Sequence, residues 1–315
     1  MGQTAFLFPG QGSQSAGMGK ELAEAFPEAK LVFEEVDDAL NQKLSRLAFE
    51  GPQDELTLTE NAQPAIMACS LAVLKVIEKQ GGKQLPDLCA YVAGHSLGEY
   101  SALCAAGTFS LSDTARLLKL RGQAMQKAVK PGEGAMAALL GAELEQALAI
   151  AKEAEAGGDV CEVANDNAPG QVVISGSAIG VDKAIEIAKA QGIKRAVKLA
   201  VSAPFHSSLM QPAAVAMKDA LQKTAMQRPS VTLIANVTAE ATQDPEAIRA
   251  LLVEQVTGRV RWRESILTLQ KLGVSRVVEI GAGNVLAGMM KRIAPEITAV
   301  SVHTPKDIEA LLETA

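Results

Sequence analysis

Gly94-His95-Ser96-Leu97-Gly98 constrains the fold more than any other stretch of this chain. It matches G-x-S-x-G and lies between an apolar run, residues 89–93, and a helix-forming stretch, residues 99–106. In that setting a strand enters a sharp turn and leaves it as a helix, with the serine held above a sheet. Glycines two residues to either side allow the close backbone packing that the turn needs. The helix that follows aims free N–H groups and its positive dipole end at any oxyanion formed there. A chance match is the alternative in a chain with 26 glycines, but the strand–turn–helix setting favours Ser96 as a nucleophile.

The rest of the chain reads as the sheet and helices such a turn requires. A strand over residues 4–8 stops at Pro9-Gly10-Gln11-Gly12, and helical patterns follow over 19–26, 28–41, 61–80 and 112–129. Gly81-Gly82 closes the third of these, and Ser112 or Ser110 suits the N-cap of the fourth. From Gly134 the order becomes strand 135–140, helix 143–156, strand 160–164, strand 172–175, helix 181–191 and strand 195–201. That β-α-β-β-α-β order is a ferredoxin-like unit. Helices at 208–224, 245–256, 262–272 and 286–293 then alternate with strands at 231–235, 276–280 and 299–302, as in a mostly parallel sheet covered by helices. The expectation is an α/β protein. Its large α/β-hydrolase-like domain, residues 1–132 and 202–315, carries an inserted small ferredoxin-like domain, residues 133–201.

Composition narrows the class. With 315 residues, 48% hydrophobic and 21% charged, the chain reads as globular and long enough for one large domain or two unequal ones. Its longest mostly apolar stretch, residues 65–74, is too short to span a bilayer, and no secretory signal is expected. A net charge of −6 argues against a nucleic-acid partner. Four cysteines with no C-x-x-C pair, beside three histidines, argue against a metal site or a disulfide framework. A reduced, cytoplasmic protein is expected. The glycines of Gly10-Gln11-Gly12 and Gly281-Ala282-Gly283 do not complete a dinucleotide fingerprint, and Gly19-Lys20 does not complete a P-loop.

A nucleophilic serine needs a base. His95 is its neighbour, but alternation sends adjacent side chains opposite ways, so His95 is expected to be structural. His206 follows the strand 195–201 through Ser202-Ala203-Pro204-Phe205, at the end of a strand where sites gather in open α/β sheets. His303 is the rival, because Ser96, Glu279 and His303 have the chain order of an α/β-hydrolase triad. Spacing leaves the two open.

At Phe8-Pro-Gly-Gln-Gly-Ser-Gln14, Gly94-His-Ser-Leu-Gly-Glu-Tyr100, Ala203-Pro-Phe-His206 and Glu279-Ile-Gly-Ala-Gly-Asn-Val-Leu286 the chain resembles malonyl-CoA:acyl carrier protein transacylases, end to end and in the family's order. The resemblance implies Ser96 as nucleophile and His206 as base. It implies the N–H groups of Gln11 and Leu97 as oxyanion hole, and Arg121 as the clamp for a substrate carboxylate. Gln255 stands where the family orients its histidine with a main-chain carbonyl, which makes Glu279 and His303 structural. Glu279-Ile-Gly-Ala-Gly replaces the Gly-Pro-Gly of many members, and Phe205 before His206 resembles a malonyl-selective pattern. The implied activity is ping-pong malonyl transfer from malonyl-CoA to acyl carrier protein for fatty acid synthesis, by a monomer without a cofactor. Lys189, Lys194, Arg195 and Lys198 form the expected basic patch for the acidic carrier. A serine esterase or thioesterase, a trans-acting polyketide acyltransferase and a non-catalytic scaffold are the alternatives. Arg121 argues against the first, since a hydrolase of neutral acyl chains has no use for a buried guanidinium.

Overall fold

Strand β1, Gln3–Phe8, shows how the large sheet is built. Ala5, Leu7, Phe6 and Phe8 are all buried, so the strand is covered on both faces, as in a parallel sheet flanked by helices. Period-two alternation divides them. Phe6 and Phe8 join the core that contains the helix Thr59–Gly81, while Ala5 and Leu7 join the core of the helices Trp262–Lys271 and Val285–Ile293. The computed structural model that defines this fold describes residues 2–201 and 203–313.

The other strands are β2 (Tyr91–Gly94), β3 (Gly134–Leu140), β4 (Cys161–Ala168), β5 (Gln171–Ser177), β6 (Arg195–Lys198), β7 (Thr232–Ile234), β8 (Ala241–Thr242), β9 (Val274–Ile280) and β10 (Thr298–Val302). Six of them form one sheet in the order β10-β9-β1-β2-β7-β8, parallel except for the short hairpin partner β8. The remaining four form a second sheet, β4-β5-β3-β6, in which every neighbour is antiparallel. The helices Leu144–Ala154 and Ala178–Ala190 pack on this second sheet around their own apolar core. The mixed α/β architecture with a mostly parallel sheet and a small antiparallel one is the one read from the sequence. The expected boundary at Ser202 lies outside the described residues.

Several elements depart from the expected pattern. Short helices at Leu44–Glu50, Gln53–Thr57 and Leu85–Leu88, and strand β8, carry too few residues for a periodicity to register. Ser110, not Ser112, caps the helix Leu111–Lys127, because its Oγ accepts the N–H of Asp113. The last strand of the small sheet ends at Lys198 instead of 201. Strand β4 runs on to Ala168, where the N–H of Asp166 donates to Val260 of the large sheet's side, at 3.0 Å. Arg263 adds a contact to the buried Asp166 carboxylate at 3.0 Å, so the two sheets are tied beside the cleft between them. Among the described residues no helix is long and apolar enough to cross a membrane.

Candidate active site

The turn after β2 is shaped by its glycines. A Cβ on Gly94 would stand 1.9 Å from the carbonyl oxygen of Gly98, and one on Gly98 would stand 2.2 Å from that of Phe8. Only hydrogen fits at either position, so the helix Leu97–Ala105 can start against β1 and β2. Ser96 is left at φ 55° and ψ −111°, a backbone that a serine adopts only when its surroundings hold it. They do hold it. The Ser96 N–H donates to Asn236 Oδ1 at 2.8 Å, and the Ser96 carbonyl accepts from Gln255 Nε2 at 3.0 Å.

His206 meets the serine from another part of the chain. Its Nε2 lies 2.8 Å from Ser96 Oγ, while Nδ1 faces the carbonyls of Gln255 at 2.9 Å and Gly258 at 3.1 Å. Carbonyl oxygens only accept, so Nδ1 carries the proton and Nε2 is left to accept from the serine hydroxyl. Burial, then the positive charge of Arg121, pushes the His206 pKa down to about 3, so the ring is neutral in the resting protein and its Nε2 is free to accept.

Arg121 comes from the buried face of the helix Leu111–Lys127. Its guanidinium donates to Gln63 Oε1 at 3.0 Å, Gln255 Oε1 at 2.9 Å and Ser96 Oγ at 3.2 Å, and lies 5.7 Å from the centre of the Tyr100 ring. Those hydrogen-bond partners are neutral, and Nε has none. Arg121 is 1% exposed, and burial pulls its pKa down, but an arginine stays charged in such a site. A cavity of about 380 Å³ opens beside it, lined by Gln11, Ser96, Leu97, Arg121, Phe205 and His206 among others. Leu97 is the first residue of its helix, so its N–H has no partner within the helix and stands at the positive dipole end.

The rival residues go elsewhere. Glu279, at the end of β9, accepts the N–H groups of Leu286 at 3.1 Å and Ala287 at 2.8 Å. His303 pairs with Asp307 at 3.4 Å and lines a separate cavity with Ser15 and Met18. Neither reaches Ser96. His95 binds Asn167 Oδ1 at 2.8 Å and packs its ring against Trp262, which ties the small sheet to the turn without touching the serine hydroxyl. Among the described residues no cluster of histidine, cysteine, aspartate and glutamate suits a metal ion.

Residues 5–304 match the acyl transferase domain family. The malonyl CoA-acyl carrier protein transacylase of Bacillus subtilis strain 168 is 46% identical over 100% of this chain and 98% of its own length. The chain belongs to the malonyl CoA-acyl carrier protein transacylase family. Within that family it superposes on the acyl-carrier-protein S-malonyltransferase of Bartonella henselae with a TM-score of 0.97 and 57% identity, covering 100% of this chain and 99% of that one. It also superposes on the holo complex of a type II PKS acyl-carrier protein with its malonyl-transacylase, at TM-score 0.95 and 40% identity, covering 99% of this chain and 100% of that one.

As a transacylase-family site, the arrangement contains residues that sequence reasoning passed over. Asn236 grips the turn twice, at the Ser96 N–H and at the Gly94 carbonyl, 2.7 Å from its Nδ2. Gln63 holds Arg121. Glu99 lies wholly buried beneath the serine and accepts from Gln255 Nε2 at 2.6 Å and from the Asn236 N–H at 3.4 Å. Burial is the chief cause that lifts its pKa to about 7. The one signal for Glu99 was a carboxylate in the first turn after the serine. Nothing in the sequence marked Asn236. Of the basic patch, Lys189 pairs with Glu186 at 2.7 Å and Lys198 with Asp182 at 2.8 Å, while Lys194 and Arg195 are exposed.

Proposed function

We infer that this chain transfers the malonyl group of malonyl-CoA to the phosphopantetheine thiol of acyl carrier protein, through an ester on Ser96. The observation that carries the reading is Arg121. A fully buried cation, held by neutral amides 3.2 Å from the nucleophilic oxygen, is built to receive a carboxylate carried by the acyl group. A pocket for neutral acyl chains would only be weakened by it.

His206 Nε2 takes the Ser96 proton as Oγ attacks the thioester carbonyl. The oxyanion falls to the N–H groups of Gln11 and Leu97, each such donor being worth roughly 10²–10³ in rate. The imidazolium returns its proton to the departing CoA sulfur, and the ester forms. The carrier thiol then repeats the sequence in reverse order: His206 takes its proton, the sulfur attacks the ester, and Ser96 regains the proton. Gln255 supports the cycle by holding Nδ1 through its carbonyl and Arg121 through its side chain. Phe205 lines the pocket beside His206, and its resemblance to the malonyl-selective pattern favours malonyl over a branched analogue.

Every step uses groups of this chain and its two thiol partners. The reaction as proposed thus calls for no cofactor and no metal, and the same reading takes the protein as a monomer of the cytoplasm, where the product feeds fatty acid synthesis. Residues 1–132 and 202–315 act as the catalytic domain and 133–201 as its insert.

The test is direct. The protein is mixed with malonyl-CoA, quenched in acid and digested, and the adduct is located by mass spectrometry. A malonyl mass on the Ser96 peptide that acyl carrier protein discharges faster than water is the expected result. Prompt release of free malonate without carrier would assign a hydrolase instead.

A further inference from the structure

Ser96 is gripped at both ends of its strained peptide unit, and both grips lead to one carboxylate. Asn236 holds the N–H and Gln255 holds the carbonyl. Glu99 Oε2 accepts from the Gln255 side chain at 2.6 Å and from the Asn236 main chain at 3.4 Å. The Gln255 amide is thereby set between an anion and a cation. Its NH₂ group donates to Glu99 and its oxygen accepts from Arg121 at 2.9 Å. An amide between opposite charges has one favourable orientation. That orientation is the one that presents Nε2 to the Ser96 carbonyl, and the same residue's main-chain oxygen holds His206.

We propose that Glu99 is a positioning residue of the transfer reaction, whose ionised carboxylate locks Gln255 and Asn236 and thereby holds Ser96, His206 and Arg121 in one working geometry. It touches neither substrate nor reacting atoms. The proposal rests on Ser96 and His206 acting as nucleophile and base, and it does not depend on the acyl group.

Protonation of Glu99 weakens the lock. A carboxyl group keeps an oxygen that can accept from both donors, but the charge that orients Gln255 between Glu99 and Arg121 is gone. The charged and titratable groups around Glu99 are Arg121 from the helix Leu111–Lys127 and Tyr100 from its own helix, with His206 beyond the serine. The Gln255 and Asn236 segments offer it N–H groups. The His206 pKa is pushed down to about 3 and that of Glu99 up to about 7, so Glu99 is the member of this pair expected to change charge between pH 8 and pH 6. The sign follows from the raised carboxylate: the lock is present above the Glu99 pKa and lost as the pH falls through it.

The experiment uses a probe that needs neither malonyl-CoA nor carrier. Phenylmethylsulfonyl fluoride forms a bond from Ser96 Oγ to sulfur and expels fluoride, while the serine proton passes to His206. Its rate of labelling Ser96 is followed by mass spectrometry from pH 8.5 to pH 5 in the wild type and in Glu99→Gln, alongside kcat and KM for malonyl transfer. The Gln side chain keeps one carbonyl oxygen for the two donors and removes the charge. In the wild type, labelling falls through about pH 7 to a plateau. Glu99→Gln stays at that plateau at every pH, roughly ten- to a hundredfold below the wild type at pH 8.5, the scale expected for a displaced nucleophile. In transfer the larger loss falls on kcat, and KM for malonyl-CoA rises less, because Gln63 still holds Arg121 when Gln255 is released. Wild-type labelling at pH 8.5 in Glu99→Gln, or an unchanged acid limb, overturns the proposal. If Glu99→Gln does not fold, Glu99→Asp decides: it keeps the charge but withdraws the carboxylate from Gln255 and Asn236, so labelling at pH 8.5 equal to the wild type overturns the proposal. Failure of malonyl-CoA to load Ser96 would sink the substrate assignment and leave the labelling result standing.

Discussion

Two glutamates, Glu99 and Glu279, are buried to the same degree, and burial raises the pKa of both. Each lies at the junction of a parallel strand and a helix. Their hydrogen bonds separate them. Glu279 receives two main-chain N–H groups at the start of the helix Val285–Ile293 and the Ser301 hydroxyl at 3.3 Å, so it closes a helix end and ties β9 to β10. Glu99 receives the Gln255 side chain, which in turn holds Ser96, Arg121 and His206. Equal burial therefore says nothing about role. A buried charge is structural when its partners are main-chain groups of its own scaffold, and part of a working site when they are the groups that hold the reacting atoms.

The largest expected effect is at the centre of the second region. Ser96→Ala should form no malonyl ester and lose malonyl transfer by at least about 10³-fold, the scale on which removal of a serine nucleophile acts. An adduct still formed at full rate would move the site away from Glu99's neighbourhood altogether. His206→Ala should slow both loading and discharge by roughly 10²–10⁴-fold, measured by rapid quench with malonyl-CoA and with carrier separately. If His303→Ala were the slower variant, the comparison would be inverted and the Glu279 side would hold the chemistry.

Arg121→Ala should reduce kcat/KM for malonyl-CoA by roughly ten- to a hundredfold, since a charge-assisted contact is worth about 1.5–3 kcal/mol. Acetyl-CoA should lose less, and Arg121→Lys should restore part of the malonyl preference, because an ammonium cannot form the two parallel bonds of the guanidinium. Equal losses on both donors would make Arg121 another scaffold group like Glu279.

Glu279→Gln sharpens the contrast from the other side. An amide nitrogen would face one of the two N–H donors, so thermal melts should report a loss of about 1–3 kcal/mol while malonyl transfer keeps its wild-type rate. A kcat loss without a stability loss would join Glu279 to the site. The smallest effect is expected far from both glutamates. Reversing Lys194 and Arg195 to glutamate should raise KM for the carrier a few-fold and spare malonyl-CoA, as rim charges act mainly on encounter. Equal effects on both substrates would remove the patch from carrier docking.

Much of this was legible in the residue order. Gly94, Ser96 and Gly98 announce the turn because only glycine tolerates contacts of 1.9 and 2.2 Å. Alternating strands and helices announce the parallel sheet, and the β-α-β-β-α-β order announces the small antiparallel one. The short helices at Leu44–Glu50, Gln53–Thr57 and Leu85–Leu88 and the two-residue β8 were not legible, because they draw their stability from packing and carry too little apolar periodicity of their own. The choice between His206 and His303 was open to spacing alone and was decided there only by resemblance. In the fold it is plain, since His206 is buried against the serine and His303 stands half exposed beside Asp307.

By itself, then, the sequence determined the local geometry: a nucleophile turn, the strands that bury on both faces, and the helix starts and stops. Steric exclusion and hydrophobic period act over a few residues, and a few residues of sequence contain them. Only the tertiary structure decided which polar groups share a site. Arg121 meets Ser96 across 25 positions, His206 across 110, Asn236 across 140 and Gln255 across 159. Hydrogen bonds of 3 Å depend on where the packed core places each backbone, and that placement is a property of the whole fold.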